Sequence, residues 1–372
     1  MSFSKCQYTG KPKVTLTQTT PVLTAVNLDN LIVNGSGSAV LKGTARVKDV
    51  DFTGFPYLDI GGADFANSNI TFEGAVTLTG KEKLLTIYKN ATLYVNGDFS
   101  AFETTIREGG TLDLSRVKTF AISHGINVWS SATLTTRSST SSSGGTIKSE
   151  LMYIDGAVDF NYKTVEVGNE FYTKNGGKLK LKGAKVSVKT SDFVVKSGSV
   201  FEAYDSTLSL DWSFNIDSGA TFKASNTTVN AKNGKLYNGA SISIADKVNM
   251  NFSGKFSCAV PKITLGSCDS LSPQNNDDYG ISAHEFELGQ VDGVGTSDTQ
   301  ISLCGGSKMR FNGSGGVLNQ YNNAKICLEY WSTFYCNGNI HGDGFKQGWI
   351  TGQRDFNYDN CRKKFKLRND KC

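Results

Sequence analysis

A seven-residue motif decides the fold: it reads SGSVFEA at 197–203 and SGATFKA at 218–224. Related copies read EGGTLDL at 108–114, NGGKLKL at 175–181 and NGASISI at 238–244. Each copy has a polar turn residue, a glycine, a small residue, and then apolar residues at alternate positions. The small residue recurs at 91, 110, 132, 157, 177, 199, 220 and 240, with spacings of 19, 22, 25, 20, 22, 21 and 20 residues.

Further apolar segments complete each repeat. Leu208 and Leu210 follow the pair Phe201 and Ala203 by seven residues, and a third short segment around Phe214 comes next. Three short alternating strands in about 21 residues describe one coil of a parallel β-solenoid. Glycine at the corner permits a turn that a residue with a Cβ atom resists. A β-sandwich would need antiparallel hairpins with less regular spacing. The sequence therefore predicts an all-β chain built on a parallel β-helix.

The same register predicts how side chains stack. Glu202 and Lys223 each lie between the two inward residues of successive coils, so they should stack about 4.8 Å apart. Opposite charges at this spacing stabilise neighbouring strands. We therefore expect a structural role for Glu202.

Composition agrees with this fold class. The chain has 372 residues with 40 Gly and only 5 Pro, and glycine has no three-residue period, which excludes collagen. A hydrophobic fraction of 38% with 22 Phe is too apolar for a disordered chain. The net charge of +5 is modest and mostly dispersed, so we expect no nucleic-acid partner. No apolar stretch reaches the length of a membrane span, so we expect no membrane insertion.

The repeat divides the chain into three predicted regions. Residues 1–70 form an N-terminal cap or attachment region with looser spacing, and residues 71–257 form the solenoid shaft. Residues 258–372 form a C-terminal β module rich in cysteine and aromatic residues. Within it, residues 261–295 are expected to be loop-like, and a late copy of the motif around Ser307 predicts that the solenoid resumes.

Cysteines are concentrated in the last third of the chain. One of the 8 cysteines, Cys6, precedes residue 258, and no C-x-x-C pair occurs. A zinc ribbon or redox motif is therefore not expected. Disulfides could form outside cells, but the chain begins without an apolar run of signal-peptide length. We therefore expect mostly buried free thiols.

Paired carboxylates are the requirement for cleaving glycosidic bonds, because one acts as acid and the other as base or nucleophile. The candidate pairs are Glu202 with Asp205, Asp211 or Asp217, and Asp155 with Asp159; Asp155, Asp205 and Asp211 are the catalytic candidates. Aspartates near coil corners commonly support turns, so the sequence assigns no catalytic residue. The 3 histidines are scattered without metal-ligand spacing, and no cofactor or metal is expected. Exposed tryptophans can stack on sugar rings, and the candidate binding residues are Trp129, Trp212, Trp331 and Trp349.

In architecture, residues 75–255 resemble the β-solenoid shafts of phage tailspikes, fibres and related virion proteins. The resemblance rests on the Asn/Ser/Asp-Gly-small corners and the period near 21. It implies a structural protein, such as a fibre, spike or capsid-decorating protein, that presents a rigid solenoid for attachment to a host surface or a virion. We expect a homo-oligomer that contacts other virion proteins or a host-surface glycan or protein. We also expect synthesis in the cytoplasm and residence in the extracellular particle.

Two alternatives remain open. The first is a polysaccharide depolymerase, a lyase or hydrolase that uses an exposed face of the β-helix. The second is a carbohydrate-binding adhesin without catalysis.

Overall fold

The computed structural model describes residues 10–372 except 63–66, 81, 138–139, 141–143, 175, 246, 267–278, 296–298, 305–306, 312–315, 322–323, 329–332, 336–337, 343–349, 352–363 and 367–372. These described residues form strands and turns without any helix. None of their segments is therefore a helix able to cross a membrane. Two compact units divide the chain, residues 1–186 and 187–372.

The first unit consists of parallel strands. They are β1 (Lys13–Thr15), β2 (Val22–Thr24), β3 (Asn27–Asn34), β4 (Ser38–Lys42), β5 (Thr44–Thr53), β6 (Tyr57–Ile60), β7 (Ser68–Thr79), β8 (Leu84–Ile87), β9 (Ala91–Ile106), β10 (Thr111–Asp113), β11 (Thr119–Val128), β12 (Thr133–Thr135), β13 (Thr146–Ile154), β14 (Ala157–Asn161), β15 (Thr164–Thr173) and β16 (Lys178–Lys182); β17 (Lys185–Val188) spans the boundary.

The second unit contains shorter strands. They are β18 (Phe193–Val195), β19 (Val200–Tyr204), β20 (Thr207–Leu210), β21 (Ser213–Ile216), β22 (Thr221–Ser225), β23 (Thr228–Ala231), β24 (Asn233–Leu236), β25 (Ser241–Ile244), β26 (Asn249–Phe252), β27 (Lys255–Cys258), β28 (Lys262–Leu265), β29 (Gly280–Ala283), β30 (Glu285–Leu288), β31 (Gln290–Val291), β32 (Val294–Gly295), β33 (Gln300–Leu303), β34 (Lys308–Phe311), β35 (Gly316–Gln320), β36 (Lys325–Leu328), β37 (Thr333–Tyr335), β38 (Gly338–Gly342), β39 (Ile350–Thr351) and β40 (Lys364–Lys366).

Each coil has three faces, and the strands of one coil pair in parallel with the equivalent strands of the next; the exceptions are β40, which pairs antiparallel with β37, and the antiparallel pair β31 and β32. In the second unit β19 pairs with β22 on the first face, β20 with β23 on the second and β21 with β24 on the third. The coils repeat about every 22 residues. The predicted parallel β-solenoid is confirmed.

In the first unit, long strands continue around a corner from the second face to the third. β11 and β13 both do so, and their pairing shifts register at the corner, between Ala121 and Gly125 of β11. The third face of this unit is formed by β2, β4, β6 and β8 and by the C-terminal ends of β9, β11, β13 and β15.

The interior is filled by columns of inward side chains. Phe201 and Phe222, both fully buried, stack with ring centroids 5.2 Å apart. Phe214, from the neighbouring face, meets Phe222 edge-on at 5.2 Å. In the first unit Phe99 stacks on Phe120 at 5.3 Å. The predicted inward positions of Phe201 and Phe222 are therefore confirmed, whereas Ile242 of the NGASISI copy is half-buried. Burying each phenylalanine ring contributes about 1.5–3 kcal/mol.

Type II turns form the corner between the third and first faces. In the second unit the amide of Ala220 donates to the carbonyl of Asp217, and Gly219 between them has a φ of 76°. A type II turn needs positive φ at its third residue, which is why glycine recurs there. Asn90 occupies the same position in the first unit, with a φ of 62°.

The predicted charge stacking is present in the second unit. The Nζ atom of Lys223 lies 3.2 Å from Oε1 of Glu202, on paired positions of β19 and β22. Glu202 therefore has the structural role that the register predicts.

The coils extend beyond the predicted shaft, residues 71–257, in both directions along the chain. From Lys13 onward the strands of residues 1–70 already pair in parallel, as β1 does with β3. The expectation of a loop-like segment over 261–295 is wrong for most of its described residues, because β28, β29 and β30 continue the coils; residues 267–278 lie outside the described residues. Ile263 and Ile301 are register partners 38 residues apart in sequence, so an insertion conceals the repeat. Around Ser307 the solenoid continues as predicted, through β33, β34 and β35.

The cysteines are not uniformly free. Cys304 and Cys327 are disulfide-bonded, so the expectation of free thiols is wrong for these two. Coils stacked about 4.8 Å apart bring residues distant in sequence within the Cα separation that a disulfide spans. Cys258 is a buried free thiol, and burial raises its pKa to about 12. The other five cysteines lie outside the described residues.

The type II corner makes a stability prediction. Gly219→Val should lower the free energy of unfolding by about 2 kcal/mol, because a β-branched residue resists positive φ. Gly219→Asn should cost about 1 kcal/mol or less, since asparagine tolerates this conformation. Urea denaturation followed by circular dichroism measures both. The neighbouring control Ser218→Ala should change stability by less than about 0.5 kcal/mol, and equal losses for valine and asparagine would contradict the turn assignment.

Candidate functional site

One column of side chains runs along the corner of the first unit, and three of its five members are exposed while two are half-buried. Its members directly follow the third-face strands of successive coils, and we call them the corner column: Tyr88, Arg107, Trp129, Asp155 and Lys174. Backbone hydrogen bonds keep them in register. The amide of Arg107 donates to the carbonyl of Ile87 at 2.8 Å, and that of Trp129 donates to Ile106 at 3.0 Å. Consecutive members are therefore about one coil spacing, ~4.8 Å, apart.

Arg107 lies between two aromatic rings of this column. Its Cζ atom is 4.5 Å from the ring centroid of Trp129 and 5.8 Å from that of Tyr88. Among the described residues Arg107 forms no ion pair or side-chain hydrogen bond. Trp129 remains 41% exposed. The stack fixes a planar cation at the surface while its N–H groups stay available to an outside acceptor.

A second outward row lies beside the corner column on the third face. Register places Asp59, Thr86, Thr105, Asn127 and Tyr153 in this row, on successive coils. Burial raises the pKa of Asp59, while a hydrogen bond with Thr86 and the charge of Arg107 oppose the rise. The row carries amide, hydroxyl and carboxyl groups that can exchange hydrogen bonds with a polar ligand.

Acidic side chains flank the row. Oε1 of Glu103 accepts a 2.9 Å hydrogen bond from Nδ2 of Asn127, and its Oε2 lies 3.2 Å from Nδ1 of His124. The hydroxyl of Tyr153 donates to Glu170, and burial followed by this bond raises the pKa of Tyr153 to about 12. The tyrosine thus stays protonated at neutral pH and holds the carboxylate in place.

The structure brings together two of the residues predicted from sequence. Trp129 and Asp155 occupy adjacent positions of the corner column, and Oδ2 of Asp155 lies 4.0 Å from Nζ of Lys174. Nζ of Lys174 also lies 4.9 Å from the ring centroid of Tyr153. Asp155 and Lys174 therefore form a surface ion pair within the corner column.

The remaining predicted residues lie elsewhere. Trp212, in the second unit, is 47% exposed and has Nζ of Lys232 4.7 Å from its ring centroid. Asp205 has a φ of 51° and accepts a 2.7 Å hydrogen bond from Nδ2 of Asn226, so it supports a turn. Trp331 and Trp349 lie outside the described residues.

Asp205 and Asp211 stand at opposite ends of β20. The four residues of that strand span roughly 13 Å at about 3.3 Å each. A glycosidase pair needs about 5–9.5 Å between its carboxyl groups. The geometry therefore gives these two aspartates no shared site.

The second unit carries its own corner feature, a hairpin that we call the clasp. β31 and β32 pair antiparallel around Asp292 and Gly293, whose φ angles are 52° and 78°. Two positive φ angles in an Asp-Gly pair define a type I′ hairpin. The Asp292 carboxylate binds Nζ of Lys235 at 2.9 and 3.0 Å and accepts a 2.6 Å hydrogen bond from the hydroxyl of Tyr237.

A polar depression of about 380 Å³ lies beside the clasp. Glu287 in its wall is buried, and its carboxylate contacts Nζ of Lys255 at 3.1 Å and the hydroxyl of Ser257 at 2.8 Å. Burial lowers the pKa of Lys255, but hydrogen bonds with Glu287 and Glu285 raise it overall. The charged groups of the depression thus form ion pairs within the protein, as Lys255 does with Glu287 and Glu285.

No cluster of three or more His, Cys, Asp or Glu side chains able to hold a metal ion exists in the described part of the chain. Comparisons with protein-family models, curated proteins and solved structures find no match to this chain.

Sequence reasoning missed Tyr88 and Arg107. A signal for them exists, because both stand three residues before the small residue that marks the repeat, as does Trp129. Reading that position along the repeat would have aligned the three side chains. The clasp was missed as well, although Val291-Asp292-Gly293-Val294 carries the Asp-Gly hairpin signal.

The clasp makes a pH-dependent prediction. The hydrogen bond from Tyr237, followed by that from Lys235, lowers the pKa of Asp292. Its contribution is therefore present above the unfolded pKa, about 3.9, and is lost as pH falls through the folded value. Asp292→Asn should speed hydrogen exchange of residues 290–295 several-fold at pH 7, with an exchange difference that shrinks as the pH falls below the unfolded pKa of about 3.9.

The matched control is Asp211→Asn, which removes an exposed carboxylate of the same unit. This variant should leave exchange over residues 290–295 unchanged. Equal effects of the two substitutions would show that net charge, rather than the contacts of Asp292, governs the hairpin.

Proposed function

We propose that the protein is a structural attachment protein of an extracellular particle, a fibre, spike or decorating protein of a virion. The single observation that carries this proposal is the corner column of the first unit, in which Arg107 and Trp129 are exposed and Tyr88 is half-buried. It holds Tyr88, Arg107 and Trp129 in a row on a rigid stack of coils. Large aromatic residues and arginine that remain exposed on a rigid surface are typical of recognition sites.

The backbone of the coils supports a presenting role. A solenoid positions every outward residue by hydrogen bonds to the coils on either side, so a binding row loses little entropy when it meets a partner. The columns of stacked phenylalanines add to this rigidity. A surface with fixed side-chain positions is suited to attachment, because the binding residues keep their arrangement while the partner is bound.

The disulfides at Cys304 and Cys327 support an extracellular location. Disulfides persist in oxidising surroundings and are rare in the cytosol. Oxidation after assembly is compatible with the cytoplasmic synthesis that we expect. The expected homo-oligomer and the contacts with virion proteins or a host surface belong to the same proposal.

Fractionation of native material tests the location. Particles sedimented through a sucrose cushion should carry the protein, and immunogold labelling should place it on their surface. Light scattering of the released protein should give the mass of an oligomer. A free monomer in the cytosolic fraction, absent from sedimented particles, would overturn the proposal.

A second assay separates attachment from depolymerisation. Incubation with acidic and neutral polysaccharides should release no reducing ends or unsaturated sugars above the protein-free blank, because Asp205 and Asp211 lie at opposite ends of β20 and Asp155 lies in an ion pair with Lys174. Steady release that Asp155→Asn abolishes would establish the depolymerase instead.

A further inference from the structure

We infer that the corner column and the adjoining row of the third face bind an anionic polysaccharide, with the sugar's acidic group on Arg107. The inference rests on the proposed attachment function and names the ligand class of that surface. The shared chemistry is a planar or tetrahedral oxyanion, the carboxylate of a uronic acid or a sulfate ester, on a chain of hydroxyl-rich rings.

The anionic group is indicated by Arg107. Its guanidinium is clamped between Tyr88 and Trp129, at 5.8 and 4.5 Å from the ring centroids. It has no carboxylate partner among the described residues, although Asp59 exerts a longer-range electrostatic effect. A stacked guanidinium presents its N–H edge in one plane, which matches the paired oxygens of a carboxylate or sulfate.

The sugar rings are indicated by what surrounds that cation. Trp129 keeps 41% of its surface exposed, and an indole face packs against the C–H face of a pyranose. Asn127 and Thr105 lie in the adjoining row at half-buried positions, where an amide and a hydroxyl can bond with sugar hydroxyls. An apolar face flanked by such groups is suited to a carbohydrate.

The spacing indicates a polymer. Column members repeat at the coil spacing of about 4.8 Å, close to the length of one hexose unit in an extended polysaccharide. A chain lying along the column would meet Tyr88, Arg107 and Trp129 with successive rings. A single sugar would use only part of this row.

The same surface disfavours nucleic acid, the other polymer that stacks on aromatic and arginine side chains. Glu103 and Glu170 flank the row, and Asp155 stands in the corner column itself. A backbone with one phosphate per nucleotide would be repelled by these carboxylates. The hydroxyl groups of an acidic sugar chain can instead donate hydrogen bonds to these carboxylates, which a deoxynucleotide backbone cannot do, while its anionic group lies on Arg107.

Isothermal titration calorimetry with the full-length protein tests the inference. The probes are oligogalacturonate, dextran sulfate, neutral dextran and a twelve-residue oligothymidylate. Binding to oligogalacturonate or dextran sulfate, at least ten-fold tighter than to dextran and oligothymidylate, is expected. The preferred acidic probe identifies the carboxylate or the sulfate as the recognised group.

Two variants locate the site. Arg107→Gln should weaken binding of the acidic probe at least ten-fold, and Trp129→Ala should do the same. Their controls are Lys148→Gln, which removes an exposed cation of the same unit from another face, and Tyr94→Ala, which removes an aromatic residue 37% exposed on the first face. Both controls should bind within two-fold of the unchanged protein, and circular dichroism should confirm folding of all four.

Three results would overturn the inference: no binding to either acidic probe, tighter binding to oligothymidylate, or equal weakening by Arg107→Gln and Lys148→Gln. None of them bears on whether the protein resides on particles. Sedimentation and immunogold labelling read that location without any glycan, so failure of the ligand assignment and failure of the attachment role are distinguishable.

Discussion

The parallel hydrogen bonding of one coil to the next is the constraint on which the rest of the structure depends. Each coil must return to its starting point displaced by one strand spacing, and the type II turn at the corner makes that return possible. Gly219 and its counterparts adopt the positive φ angles that the turn requires. Once the return is fixed, alternation along every strand decides which side chains face inward and which face the solvent. Phe201 and Phe222 stack, and Glu202 pairs with Lys223, for this one reason.

The same constraint brings residues that are distant in sequence together on one surface. Tyr88, Arg107 and Trp129 are separated by 19 and 22 residues in sequence, yet backbone bonds place them on adjacent coils. A guanidinium can therefore be held between two rings without any dedicated loop. In the second unit Asp292 of the clasp binds Lys235 and Tyr237, which lie 57 and 55 residues earlier in the sequence. Stacking of the coils brings these distant residues together.

Much of the fold follows from the sequence because the repeat is visible in it. The glycine, the small residue and the alternating apolar pair predict the coil and its inward residues. The prediction fails at β28, β29 and β30, where inserted residues lengthen one repeat to 38 and conceal the period. The site is less predictable. Trp129 stands out as an exposed aromatic candidate, but Arg107 alone looks like any solvated charge until its neighbours are aligned. The disulfides at Cys304 and Cys327 likewise depend on which coils lie side by side.

The corner column also has an evolutionary consequence. Because each coil contributes one side chain to it, duplicating a coil would lengthen the column by one position without disturbing the others. The valency of the surface could then change by unequal recombination between neighbouring repeats, and avidity would rise with each added position. A substitution three residues before the small residue would alter a single position of the corner column. Selection could thus adjust the length and the specificity of this surface separately, while the stacked interior stays the same.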